Sequence, residues 1–229
     1  MTIVGVVPAR GGSKSIPHKN IALLGDRTLL AYTADAAASA TLLDRTILST
    51  DSAEIADVGR SLGLEVPYQR PAGLAEDTTP ILPVLLQLLD WLEQGGTAVE
   101  AFVLLQPTSP FRNAEDIDGA VRLLRSRDAD SVVTVVPVPH QFNPVSVMKM
   151  EDGRLTSFLP GPPVLRRQDK PEVFARNGPA VLVLRPRILR RGILYSEATY
   201  GYEMPAERSV DIDGPDDLAL AERMLSVRH

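Results

Sequence analysis

The chain has 229 residues and a formal net charge of −5; 44% of the residues are hydrophobic and 23% are charged. This composition excludes disordered and fibrous proteins and predicts one domain with a full hydrophobic core. The net negative charge argues against nucleic acid as a partner, because duplex binding requires a basic face. The sequence contains no cysteine, which excludes disulfides, thiolate zinc sites and a cysteine nucleophile. A metal site would therefore use mainly oxygen ligands, which favours Mg²⁺.

The N-terminal residues indicate neither export nor membrane insertion. The first ten residues, MTIVGVVPAR, have no basic flank followed by an apolar signal core. No apolar run reaches the length of about 18 residues that a membrane-spanning helix needs. We therefore expect a cytoplasmic protein with no membrane partner.

Strand-like and helical stretches alternate along most of the chain. Continuous β-rich runs predict strands, and amphipathic or alanine-rich stretches with polar caps predict helices. The alternation predicts an α/β fold with a doubly wound, mainly parallel sheet that is covered on both faces. The predicted strands are 3–7, 46–50, 101–106, 131–138 and 180–184, and the predicted helices are 29–43, 52–62, 80–93, 113–125 and 215–227.

The alternation stops between residues 139 and 178. This stretch is rich in Pro, Gly and Arg and contains only short β-like pieces. It predicts an inserted arm, rather than another βαβ unit, inside a single domain that spans 1–229.

The loop after the first strand has the composition of a phosphate-binding loop. Gly11 and Gly12 allow backbone N–H groups to converge on an anion, while Arg10, Lys14 and Lys19 supply positive charge. The glycine spacing matches neither the P-loop nor the dinucleotide-binding motif. The alternative is a flexible surface turn with solvated lysines.

Five blocks in this order resemble the CMP-sialic acid synthetases and their bacterial relatives, which activate nonulosonic acids. The first block is IVGVVPARGGSKSIPHKNI, and the resemblance covers essentially the whole chain. The other blocks are 70–72 with 77–78, then 104–112, then 166–169 leading to 177–178, and finally 208–218.

The resemblance implies a Rossmann-like nucleotidyltransferase that joins CMP from CTP to the anomeric hydroxyl of a sialic-acid-like sugar acid and releases pyrophosphate. It also implies a Mg²⁺ requirement and a homodimer in which the arm of one subunit reaches the other's site. By position, the nucleotide would be held by Arg10, Gly11, Gly12, Ser13, Lys14, Asn20 and Arg70, with Lys19 beside the reacting α-phosphate. For Arg70, a surface ion pair is the alternative.

Asp211 and Asp213 lie in a strand-like Val-Asp-Ile-Asp run, so both carboxylates would face the same way while Ile212 enters the opposite layer. The resemblance assigns this pair to Mg²⁺ on the triphosphate and gives Asp211 a catalytic role together with Lys14 and Lys19. The alternative is that Asp213 caps the helix that begins near Pro215.

The resemblance assigns Gln106 and Asn177 to the acceptor sugar. Arg167 and Gln168 belong to a basic, hydrogen-bonding cluster in the arm that suits a sugar carboxylate, and a solvated loop is the alternative. An amide can donate to and accept from sugar hydroxyls, and a guanidinium matches a sugar carboxylate. Pro80 and Ile81 stand where small polar residues often meet the base. Another base such as guanine therefore stays open as an alternative. A shorter 3-deoxy sugar acid as acceptor and a catalytically silent nucleotide-binding protein are further alternatives.

Overall fold

A computed structural model of the chain, which describes residues 1–13 and 15–227, contains a seven-stranded mixed sheet in the order β11-β6-β10-β5-β1-β4, with β9 added beside β6. Most of its strands run in one direction, and β9 and β10 run opposite to their neighbours. The strands are β1 (Thr2–Pro8), β2 (Leu23–Leu24), β3 (Arg27–Thr28), β4 (Arg45–Ser49), β5 (Val99–Leu104), β6 (Ser131–Pro137), β7 (Met148–Glu151), β8 (Arg154–Ser157), β9 (Phe174–Arg176), β10 (Leu182–Leu184) and β11 (Thr199–Glu203).

Helices cover both faces of this sheet, as the alternation predicted. Leu30 of α1, Ile55 of α2 and Ile117 of α4 belong to one buried apolar cluster with the strands. Leu88 of α3 and Ile188 of α5 belong to the cluster on the other face. The helices are α1 (Leu29–Ser39), α2 (Ala53–Ser61), α3 (Ile81–Gln94), α4 (Ala114–Ser126), α5 (Pro186–Arg190) and α6 (Pro215–Val227).

Helix α1 ends at Ser39, four residues before the predicted end at residue 43. The chain leaves the helix because the Thr41 and Leu42 amides donate to the Asp118 carboxylate, both at 3.0 Å. This carboxylate is buried, so it needs such donors, and they replace the continuation of the helix. The predicted caps of α2 and α4 are confirmed, since Ser52 and Asn113 accept backbone N–H groups there.

The arm, residues 139–178, divides into two parts. Strands β7 and β8 form a separate two-stranded hairpin. Strand β9 returns to the main sheet and pairs antiparallel with β6. The last part of the arm is therefore anchored on the core, while the hairpin projects from it.

Four elements outside the arm were not predicted, namely the short strands β2 and β3, the edge strand β11 and the short helix α5. Strand β11 lies at the sheet edge and its residues are mostly exposed, so it lacks the apolar run of a buried strand.

Within the part of the chain that the structure describes, no helix is long and apolar enough to cross a bilayer.

Candidate active site

A cleft of about 580 Å³ opens beyond the C-terminal ends of β1 and β5. Ligands of open α/β sheets bind at this edge, because loops from neighbouring strands converge there. Seven of the predicted site residues line it, namely Arg10, Gly12, Ser13, Lys19, Asn20, Arg70 and Gln106. Lys14 lies outside the described residues.

The phosphate loop is fixed to the neighbouring strand by Asp51, which follows β4. The Gly11 amide donates to Asp51 Oδ1 at 2.9 Å. A Cβ atom at Gly11 would lie 3.1 Å from the Ser52 Cβ, so a side chain here would fit only if Ser52 moved by a few tenths of an ångström. The Gly11 amide is thus engaged within the protein, and its predicted contact with the nucleotide stays a prediction.

Arg10 reaches across the cleft to the segment before α3, where its guanidinium forms an ion pair with Asp77. The backbone of Arg10 is held from the other side, since the Asn20 Nδ2 donates to its carbonyl at 2.9 Å. Asn20 is buried. Arg10 therefore has a fixed backbone and a side chain whose partner is an exchangeable carboxylate.

Arg70 is buried within the wall of the cleft, with 6% of its surface exposed. Its Nε donates to Ser49 Oγ at 3.1 Å and its Nη2 donates to the Ser49 carbonyl at 2.6 Å. Burial lowers the pKa of Arg70, and the nearby Asp51 carboxylate opposes this. The alternative interpretation of Arg70 as a surface ion pair is wrong.

Lys19 connects the phosphate loop to the C-terminal aspartates. Its Nζ donates to the carbonyl of Ile212 at 3.1 Å and lies 3.6 Å from Asp213 Oδ1. The side chain is 16% exposed. One cation therefore lines the cleft and also contacts the loop that carries the two aspartates, a contact that the sequence did not predict.

The Val-Asp-Ile-Asp run, residues 210–213, does not form a strand, so that prediction is wrong. The run is a loop held by a bond from the Ile212 amide to the Thr108 carbonyl at 2.8 Å. Ile212 is nevertheless buried, while Asp211 is half-buried and Asp213 is exposed. Ile212 is therefore buried as expected, without strand pairing, and a common direction of the two carboxylates stays a prediction.

The two aspartates differ in their surroundings. Burial raises the pKa of Asp211, the charge of Asp213 adds to this, and hydrogen bonds from Thr108 and Ser109 oppose it. The Asp213 carboxylate is 83% exposed. Asp217, rather than Asp213, accepts the backbone N–H groups of Asp213 and Gly214 at the start of α6.

Two arginines hold the loops around this site, and the sequence predicted no role in the site for either of them. Arg208 binds Asp116 through two bonds of 3.0 and 2.8 Å, and the Asp116 side chain is fully buried. Arg112 is buried and donates to the carbonyls of Gln106 and Ala180 at 2.7 and 2.8 Å. Burial lowers the pKa of Arg112 to about 9. The available signal was their position inside the resembling blocks, since Arg112 ends the block 104–112 and Arg208 begins the block 208–218.

The structure places the four predicted sugar-binding residues in different surroundings. Gln106 lines the cleft. Asn177 is buried, and its amide is engaged within the chain by Thr134 Oγ1 at 2.7 Å and Ser209 Oγ at 2.9 Å. Arg167 and Gln168 are exposed on the arm and do not belong to the lining of their own cleft. Sugar contacts by all four residues stay predictions.

Comparison with known proteins shows the family to which the chain belongs. The cytidylyltransferase family model matches residues 4–223. The CMP-N,N'-diacetyllegionaminic acid synthase of Legionella pneumophila is 32% identical over 99% of this chain and 97% of its own length. An N-acylneuraminate cytidylyltransferase of Streptococcus agalactiae is 30% identical over 95% of this chain and 52% of its own length. A solved CMP:2-keto-3-deoxy-manno-octonic acid synthetase complexed with CTP has a TM-score of 0.74 at 14% identity and covers 100% of both chains, which shows the fold. The chain belongs to the cytidylyltransferase family, whose members are nucleotidyltransferase enzymes.

Proposed function

We propose that this protein transfers CMP from CTP to the anomeric hydroxyl of a sialic-acid-like nonulosonic acid and releases pyrophosphate. The observation that carries the proposal is Lys19, which lines the cleft with Arg10 and Arg70 and also contacts the Asp211–Asp213 loop. Cations for a triphosphate and carboxylates for its metal therefore meet at one edge of the sheet.

The reaction needs one bond formed and one broken at the α-phosphorus. The anomeric oxygen forms the new P–O bond, the bond to the bridging oxygen of pyrophosphate breaks, and the hydroxyl proton is released. Arg10 and Lys19 would stabilise the negative charge that grows on the departing pyrophosphate and on the α-phosphoryl oxygens. Arg70 would hold the nucleoside side of the ligand from the cleft wall.

The donor set fits Mg²⁺. Asp211 and Asp213 supply two carboxylates beside the cleft, and Mg²⁺ commonly uses one or two carboxylates together with substrate phosphates and water. Among residues 1–13 and 15–227, no group of three His, Cys, Asp or Glu side chains forms a complete metal cage. When bound, the ion would neutralise the triphosphate and make the acceptor hydroxyl more acidic.

The similarity to the Legionella synthase over nearly the full length of both chains favours an acceptor of the legionaminic or sialic class. The test is pyrophosphate release with each of the four nucleoside triphosphates against N-acetylneuraminic acid, N,N'-diacetyllegionaminic acid and a shorter 3-deoxy sugar acid. We expect turnover with CTP and a nonulosonic acid only. Preferred use of GTP or of the shorter acid would replace the assignment with that activity, and no turnover with any pair would contradict it.

We also propose a homodimer in which the arm completes the partner's site. Arg167 and Gln168 lie on the arm outside their own cleft, and the arm exposes a set of large apolar side chains. Closed two-fold pairing would bury these side chains and bring each arm to the other subunit reciprocally.

Subunit mixing tests this arrangement. Lys19→Ala and Arg167→Ala would each be inactive alone, but a mixed dimer would contain one intact site and recover at most about half of the activity per dimer. Arg154→Ala, an exposed arginine of the hairpin, is the matched control and should keep activity alone. No recovery despite proven subunit exchange would show that the arm serves its own subunit.

A further inference from the structure

One ion pair spans the mouth of the cleft. Arg10 comes from the loop after β1, and Asp77 comes from the segment before α3, yet their side chains are in direct contact. Both side chains line the cleft, and they are 33% and 32% exposed. A dissolved anion can therefore reach the pair without unfolding the loop.

A triphosphate that approaches Arg10 Nη1 meets the Asp77 carboxylate already bound there. The guanidinium of Arg10 can form its strong paired contact with only one anionic group at a time on its forked edge. A bound triphosphate that takes this edge must displace the Asp77 carboxylate, and the displaced carboxylate then faces a highly charged ligand. Both effects weaken polyphosphate binding.

We propose that Asp77 is a competing anion that lowers the affinity of the cleft for polyphosphates and thereby promotes pyrophosphate release. This inference rests on the proposed function, since it assigns Arg10 to the triphosphate. The hydrogen bond from the Asn20 side-chain amide to the Arg10 carbonyl keeps the loop in place during the exchange, so only the Arg10 side chain has to change partner. Asp77 acts through Arg10 and is a positioning residue.

The matched comparison is Asp77→Asn against Glu76→Gln. Each substitution removes one negative charge from the lining of the same cleft, but only Asp77 forms the ion pair with Arg10 within the described part of the chain. Binding of inorganic tripolyphosphate and of pyrophosphate would be measured by calorimetry at fixed ionic strength. Asp77→Asn should bind both about fivefold more tightly than the parent, as expected for loss of one partly exposed ion pair. Glu76→Gln should show a clearly smaller gain.

Two further measurements separate competition from a general charge effect. In an Arg10→Gln background, Asp77→Asn should lose most of its effect on polyphosphate affinity, because the two residues are coupled. In turnover assays, Asp77→Asn should lower the KM for CTP and lower kcat through slow product release.

Equal or weaker polyphosphate binding by Asp77→Asn, with binding by the parent intact, would overturn the inference and leave the proposed function standing. A gain as large in Glu76→Gln, or one that persists in the Arg10→Gln background, would also overturn it. A parent protein that binds neither tripolyphosphate nor CTP would overturn both.

Discussion

The main sheet with its helices, here called the sheet half, buries most of its apolar residues, whereas the arm (residues 139–178) exposes many of them. In the sheet half, strand and helix side chains form two buried clusters, one on each face. In the arm, the large apolar side chains stay exposed, namely Phe142, Val147, Met148, Met150, Leu155, Phe158, Leu159, Leu165 and Phe174. The sheet half thus buries most of its apolar side chains, whereas the arm exposes a set of them that a second surface would cover.

The difference separates two kinds of site residue. The cations and carboxylates of the cleft are held by bonds within one chain, so their geometry is set when the sheet folds. Arg167 and Gln168 lie on the arm, so in the proposed dimer their contribution would depend on where the partner subunit places the arm. Variants that affect one region and leave the other intact should therefore be obtainable.

The largest expected effect is on the sheet half alone. Asp211→Asn should reduce turnover by at least about 100-fold, because it removes one of two carboxylates proposed for the metal. Chelator should likewise silence the parent enzyme. Asp216→Asn, in the first turn of α6, is the matched control and should retain activity. Full turnover of the parent in excess EDTA would contradict the metal assignment.

The same substitution should not lower stability. Burial raises the pKa of Asp211, so the folded protein holds this proton more tightly than the unfolded chain does. The free energy of unfolding that this group contributes therefore falls as pH rises from the ordinary carboxyl pKa through the raised one. Asparagine removes that dependence, and thermal unfolding at neutral pH should show a midpoint equal to or above that of the parent.

The next effect is on the arm. Replacing Met150, Leu155 and Phe158 together by serine should convert the proposed dimer into monomers without lowering the thermal midpoint of the sheet, because all three side chains are more than half exposed. Leu220→Ser, at an exposed apolar residue of α6, is the control. Sedimentation would measure the masses, and a parent that is already monomeric would remove the proposed interface.

The smallest expected effect is a loss of stability when the ion pair that joins the C-terminal loop to the core is removed. Arg208→Gln leaves the fully buried Asp116 carboxylate without its bidentate partner and should cost about 2 kcal/mol of unfolding free energy. Arg60→Gln breaks an exposed pair with Asp57 and should cost at most about 0.5 kcal/mol. Denaturant titration would compare them, and equal costs would show that burial of Asp116 adds nothing.

Much of the fold was predictable because burial leaves a periodic signal in the sequence. The continuous apolar runs gave β1, β4, β5 and β6 to within two residues, and side-chain caps gave the starts of α2 and α4. Strand β11 was missed because an exposed edge strand has no such run. Residues 210–213 were mistaken for a strand because alternation in the sequence reports which side chains are buried and does not report hydrogen-bond pairing.

The sequence by itself determined the order of elements, the cationic glycine loop after β1, and the stretch without a core of its own. Only the tertiary structure decided which carboxylate each of the site's donors meets: Asp51 for the Gly11 amide, Asp77 for Arg10 and Asp116 for Arg208. The first and last of these partners are 40 and 92 residues apart in the chain. Such pairs form only when the loops of separate strands are brought to one edge of the sheet, and no local periodicity encodes that choice.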